Sequence, residues 1–299
     1  MNSKKIALIA LFMVQLLYGF NFTIAKQLMN SGQVSANSLV VLRVAGAAIL
    51  FWLFGRFYKS EKMERSDFIP LFFAALFGVG INMVFYLKGL ELTTPIHASV
   101  IITIVPILIL LLSAFFLNEK LTKLKILGVL LGFCGGVILT VLGKSARAAD
   151  NVVLGNLFIF LNAVFYSGYV IIIKRLTAKY HPFTFIKWLF LFGFFMVIPF
   201  GYEDTITIEW SSFSNYTWFL LTFVVVGATF GTYFFNPLAL RSLKASTVGI
   251  FVYLQPVIAG VFALVTGKDT INGIKILAMC LIFLGVYLVT KKPTAETST

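Results

Sequence analysis

Ten stretches of this chain are long enough to cross a bilayer and carry few charges. They lie near residues 5–28, 34–57, 68–90, 95–118, 123–142, 151–175, 182–200, 216–239, 244–267 and 271–290. A helix needs about 20 predominantly apolar residues to span hydrocarbon. Within that layer every backbone N–H and C=O must be satisfied inside the protein, which leaves helices and closed barrels as the only spanning forms. Runs of this length specify helices, so the expected fold class is an all-α membrane protein with ten transmembrane helices. Hydrophobic residues are 60% of the chain and charged residues 12%, against about 45–50% and about 25% in soluble domains. The longest connections, Tyr58 to Asp67 and Gly201 to Asn215, leave no room for a soluble domain.

A second constraint is internal. Residues 71–142 echo residues 221–292 at a constant offset of 150. Pro106 falls on Pro256, Glu119 on Asp269, Lys125-Ile126-Leu127 on Lys275-Ile276-Leu277, and Gly135 on Gly285. Nearer the front of each half the offset is 148, pairing Tyr18 with Tyr166 and Lys26 with Lys174. Five spans per copy is an odd number, so the second copy must cross in the opposite sense. The expectation is two inverted five-helix repeats, 1–147 and 148–292, followed by a disordered polar tail at 293–299. Inverted repeats are the usual architecture of carriers that hold a solute at mid-membrane.

The chain has 24 Lys and Arg against 11 Asp and Glu, a net charge of +13. In a membrane protein such an excess reports orientation first, so no nucleic-acid partner is inferred. With the N-terminus in the cytoplasm, the basic residues at 4–5, 56–65, 120–125, 174–179, 241–244 and 291–292 share one side. The loop from Gly201 to Asn215, on the other side, carries Glu203, Asp204 and Glu209 and no basic residue. The reading is a multi-pass protein of the cell's inner (cytoplasmic) membrane with both termini cytoplasmic. A cleaved secretory signal is disfavoured. The first apolar run is longer than a signal core, and its loss would strand the partners of Tyr166 and Lys174.

Catalysis and metal binding need clustered acids, bases or nucleophiles. Here there are two histidines, two cysteines and no Asp or Glu inside the ten stretches as drawn. No enzyme activity, cofactor or metal is expected, and Cys134 and Cys280 do not correspond under the repeat. Gly143-Lys144-Ser145 looks like the tail of a phosphate-binding loop, but Ile138 stands where the leading glycine belongs and a helix precedes it.

Polar side chains within the spans are the informative remainder. In the first half these are Tyr18, Asn21, Asn82, Tyr86 and Thr103; in the second, Asn162, Tyr166, Tyr169, Thr229, Tyr233, Asn236, Tyr253 and Gln255. Amides and phenols at similar depth suit a small amphipathic ligand, although interhelical hydrogen bonds would use the same residues. Pro106 and Pro256 sit mid-span at matching points, where each would free the carbonyl four residues earlier and kink its helix into a gate. Charges inside a span cost about 2.5–3.5 kcal/mol at the centre and are functional candidates by default. Lys26 with Arg43, and Lys174 with Lys187, are expected as basic pairs near the two mouths, with snorkelling to the interface as the alternative. His97 is a candidate for proton coupling. Gly128, Gly132 and Gly136 let another helix approach closely, within the chain or, as a second option, in a homodimer.

These residues resemble the drug/metabolite transporter superfamily with two EamA-type repeats, over residues 5–291. Tyr18-Gly19-Phe20-Asn21-Phe22 followed by Lys26 is similar to the family's aromatic-Gly-x-Asn-Phe…Lys segment. Arg43 with Ala45 and Ala47 resembles its Arg-containing second helix. Pro106, Glu119 and the stretch from Leu121 to Gly136 resemble the run that closes a repeat. The resemblance implies a secondary carrier, often an exporter of amino acids or other metabolites, with a central cavity formed by spans 1, 3, 4, 6, 8 and 9. The function expected is alternating-access transport of a small metabolite, an amino acid or related zwitterion or anion. Multidrug, organophosphate and nucleotide-sugar carriers, and a structural membrane protein, are the alternatives.

Overall fold

The computed structural model describes residues 3–58, 61–93, 98, 101–141, 151–265 and 273–290. All regular structure among them is helical. The helices are α1 (Ser3–Asn30), α2 (Ala36–Gly55), α3 (Arg65–Leu92), α4 (Val105–Leu117, with helical residues 98, 101 and 102 before it) and α5 (Lys123–Val141). The second half repeats them as α6 (Val152–Lys179), α7 (Pro182–Ile206), α8 (Asn215–Ser242), α9 (Ala245–Ile250, Phe251–Tyr253 and Leu254–Val265) and α10 (Gly273–Thr290). The protein is an all-α membrane protein, and α1, α2, α3, α6, α7 and α8 each have the length and hydropathy to cross a bilayer alone.

Local chemistry sets the ends. Ser35, Asn151 and Ser214 cap α2, α6 and α8 by accepting from the N–H three residues on, which satisfies donors the first turn leaves free. Gly32 turns the chain with φ +74°, and Asn118 ends α4 in the left-handed region. The acidic stretch expected as a loop from Gly201 is instead helical through Ile206. Asp204 there accepts from Ser35 Oγ at 2.6 Å, so the α2 cap holds the extra turn of α7.

His181 begins α7 ahead of Pro182, with Nδ1 accepting from Phe183 N at 3.4 Å and its ring stacked 4.6 Å from Tyr58. Burial, with Arg241 nearby, pushes the imidazole below its usual range against the pull of Glu61. The neutral ring is therefore the native form. Its contribution to stability is present above the ordinary histidine pKa of about 6.5 and is lost as pH falls through the lowered native value. Thermal unfolding of purified protein between pH 7.5 and pH 5 is expected to show a fall in midpoint that His181→Asn, which caps without titrating, does not share.

The two halves interlock. α1 packs on α8 and α9, and in the same way α6 packs on α3 and α4, while α2 pairs with α7 and α5 with α10. This is the pattern of a pseudo-twofold axis that exchanges the repeats. At the α5–α10 crossing, a Cβ on Gly128 would lie 2.8 Å from the Gly285 carbonyl, and one on Gly135 would lie 2.7 Å from that of Ala278. Positions 128 and 135 correspond to 278 and 285, so the contact maps onto itself. The glycine stripe is thus consumed within the chain: Gly132 lies under the Tyr253 ring and Gly136 against Thr103.

Two irregularities are also repeated. α3 and α8 carry wide π-helical turns at Leu76–Gly80 and Phe223–Gly231, a feature frequent at functional sites. α4 and α9 break at residues 103–104 and at Phe251–Tyr253. The sequence placed Pro106 and Pro256 in the middle of continuous helices. Instead each lies in the first turn of a new segment, Val105–Leu117 or Leu254–Val265. A proline costs no hydrogen bond there, because the first N–H groups have no helical partner.

A central cavity built by both repeats

Most of the polar residues singled out in the sequence converge on one cavity. Tyr18 and Asn21 reach it from α1, Arg43 from α2, Asn82 and Tyr86 from α3, Asn162 and Tyr166 from α6, Tyr233 from α8 and Gln255 from α9. Phe22, Met83, Ile102, Val105 and Val252 complete the wall. Its volume is about 70 Å³, several times the roughly 10–15 Å³ that one water needs. Ile102, Val105 and Val252 come from the breaks in α4 and α9, which bring backbone turns to the cavity edge.

The wide turns put backbone acceptors here. In α3 the Gly78 carbonyl accepts from the Tyr233 hydroxyl. In α8 the corresponding Ala228 carbonyl accepts from Thr232 Oγ1 at 2.9 Å and, at 3.5 Å, from an Arg43 Nη2–H. Arg43 Nε donates to Thr229 Oγ1 at 2.9 Å, and the guanidinium carbon lies 5.9 Å from the Tyr86 ring centre. Its Nη1 has no hydrogen-bond partner among the described residues, although the side chain is only 3% exposed.

Neighbouring bonds hold the wall. Asn21 Nδ2 donates to the Tyr86 hydroxyl at 3.1 Å, and Asn236 Nδ2 to the Tyr166 hydroxyl at 2.7 Å. Tyr86 corresponds to Asn236, so an Asn–Tyr bond joins α1 to α3 and α6 to α8 with the two residue types on exchanged helices, although Tyr166 corresponds to Tyr18 and not to Asn21. Asn82 and Asn162 each donate to the other's backbone carbonyl, at 3.1 and 3.0 Å. The Oδ1 atoms of Asn21 and Asn236 have no hydrogen-bond partner among the described residues.

Lys26, Lys174, Lys187, Thr103, Tyr169, Thr229, Asn236 and Tyr253, all expected at the site, do not line the cavity. Lys26 Nζ donates to the carbonyls of Leu90 and Glu91, at 2.8 and 2.9 Å. That is how a cation satisfies the free carbonyls and negative dipole end of a helix C-terminus. Lys174, its repeat partner, does the same for α8 at Leu240 and Leu243, at 2.5 and 2.8 Å. Lys187 sits over the Trp52 ring at 5.2 Å. The basic pairs expected at the mouths are therefore not formed, and Arg43 lies in the cavity apart from Lys26. Thr103, Tyr253 and Tyr169 are buried against Gly136, Gly132 and Gly78, where rings and methyls fill the space glycine leaves. His97 lies outside the described residues.

Gln15 was missed. It is 2% exposed and its Oε1 accepts from Gln255 Nε2 at 2.8 Å. An amide in an apolar span, one turn before Tyr18, was the signal that could have found it.

A model of the EamA-like transporter family matches the chain twice, over residues 5–141 and 153–291. Among curated proteins, an uncharacterized transporter of Bacillus subtilis, YetK, is 22% identical over 98% of this chain and 91% of its own length. An uncharacterized transporter of Archaeoglobus fulgidus is 26% identical over 92% and 95%. A WAT1-related protein of Arabidopsis thaliana, At4g01450, is 28% identical over 60% and 56%. One solved crystal structure superposes with a TM-score of 0.75 over 95% of this chain and 96% of that one, at 22% identity. With both repeats matched and the ten-helix fold shared, this chain belongs to the EamA-like transporter family.

Proposed function

We propose that the protein is a secondary transporter that carries a small carboxylate-bearing metabolite, an amino acid or related zwitterion or anion, outward across the cell's inner membrane by alternating access. The observation that supports this is Arg43: a buried guanidinium that lines a cavity walled by amides and phenols and has one N–H without a hydrogen-bond partner among the described residues. An arginine fork matches a carboxylate in charge and geometry. Asn21 on the same wall, whose Oδ1 has no hydrogen-bond partner among the described residues, offers an acceptor for an ammonium, which suits a zwitterion. An organic-cation carrier is the weaker reading, because the charged side chain lining the cavity is itself a cation. Metabolite profiling of the medium from cells that over-express the chain tests the assignment. Accumulation of a carboxylate-bearing metabolite is expected, and accumulation of organic cations alone would overturn it.

Opposed halves make a further prediction about sidedness. After replacement of Cys134 and Cys280 by serine, single cysteines at Thr122 and Glu209 should react with an impermeant maleimide from opposite faces, Thr122 from the cytoplasm. Labelling of both from one face would contradict the orientation read from the loops.

A further inference from the structure

A second gap, of about 510 Å³, lies outside the central cavity where α3 and α4 both lean on α6. Its walls are apolar, with Phe77, Leu112, Phe116 and Ile172 around Gly168, and Arg175, Lys179 and Asp67 stand at one end. The eleven steps from Gly168 to Lys179 are about 16 Å of helix, roughly one leaflet of a 30 Å hydrocarbon layer. The gap therefore runs from the membrane boundary to about mid-depth.

The repeat shows what this site lacks. Gly168 corresponds to Phe20 at the offset of 148, and Leu112 to Phe262 at 150. Phe20 and Phe262 pack edge to face with ring centres 5.2 Å apart, closing the equivalent place between α1 and α9. On the α4–α6 side both rings are missing. Gly168 is not required by close helix packing either, since a Cβ there would meet nothing nearer than Phe77 at 3.5 Å. An unfilled apolar gap forfeits dispersion contacts along its whole lining, and the filler at this depth is hydrocarbon.

The polar end selects the filler's head. Lys179 is held by Asp67 at 3.0 Å, and Asp67 also accepts from the Tyr180 hydroxyl at 2.7 Å. Arg175 is exposed, donates to the Phe116 carbonyl at 2.6 Å, and has no carboxylate partner among the described residues. Lys179 also meets the exposed Glu64 at 3.8 Å, so among the described residues lining the gap the charge left without a carboxylate partner is that of Arg175, at the boundary where phosphate groups lie.

We propose that this gap binds one acyl chain of an anionic phospholipid whose phosphate rests on Arg175. The full-length protein, purified in dodecyl maltoside and stripped of lipid, would be titrated with phosphatidylglycerol, phosphatidylcholine and inorganic phosphate. Native mass spectrometry and thermal unfolding would be the readouts. Phosphatidylglycerol should give a saturable adduct of one lipid and a higher midpoint, phosphatidylcholine a weaker one, and inorganic phosphate neither. Gly168→Phe should remove the adduct without lowering the midpoint of the lipid-free protein. Arg175→Gln, which leaves the apolar walls intact, should cut the preference for phosphatidylglycerol about 5-fold, the worth of roughly one interfacial charge. No saturable adduct, equal binding of the two lipids, a response to phosphate alone, or an adduct indifferent to both substitutions would each overturn the proposal.

Discussion

Arg43→Gln is expected to reduce saturable transport of a carboxylate substrate into proteoliposomes at least 30-fold while leaving the fold intact. Losing one partner of a desolvated, hydrogen-bonded charge pair costs about 2–5 kcal/mol, and 2 kcal/mol is already about 30-fold. Stability should not follow. The guanidinium faces no carboxylate among the described residues, and a neutral amide is cheaper than a charge at this depth. Glutamine can still donate to Thr229. Arg43→Lys separates charge from geometry: it keeps the cation but loses the planar fork, so an intermediate rate is expected. Initial rates beside thermal midpoints for the three proteins check this. Undiminished transport by Arg43→Gln, or faster transport of an organic cation, would show that the substrate does not need the arginine.

Gly285→Val should do the opposite, removing protein rather than turnover. A Cβ there would lie 2.5 Å from the Gly128 carbonyl and 2.9 Å from the Gly132 amide nitrogen. Backbone cannot rotate away as a side chain can, so α5 and α10 must separate. Overpacking of this kind costs about 1–3 kcal/mol, a 5- to 150-fold shift in the folding equilibrium. Membrane-extracted yield and thermal midpoint should both fall. Gly168→Ala, whose added methyl meets only Phe77 at 3.5 Å, is the matched control and should match the unmodified protein. Equal losses at the two glycines would mean that the crossing is not what position 285 protects.

The span pattern was legible because the bilayer imposes a length on every helix, and that length does not depend on partners. Much of the cavity was legible for a related reason. A buried amide or phenol such as Asn82 or Tyr166 has to find polar company, and the company is inside. The same logic misplaced Lys26, whose company is the two free carbonyls at the end of α3 rather than a ligand. Tyr169, Tyr253 and Thr103 failed differently. Their burial is explained by Gly78, Gly132 and Gly136, glycines on other helices that no local pattern connects to them. The wide turns in α3 and α8 were illegible altogether, since their sequences are as apolar as the helix on either side. The prolines signalled a break at the right place, but they could not reveal that the helix restarts there rather than bends.

The bond from Arg43 to Thr229 bridges 186 residues, and it has a consequence for biogenesis. At about 5–20 residues per second, α8 leaves the ribosome roughly 10–40 s after α2. Throughout that interval the guanidinium has the Tyr86 ring of α3 within reach but neither Thr229 nor the Ala228 carbonyl, in a layer where a charge costs about 2.5–3.5 kcal/mol at mid-span. The first five helices are therefore not a finished intermediate. A chain arrested before Thr229 should remain dependent on insertion factors and open to quality-control proteolysis until the second repeat arrives to release it.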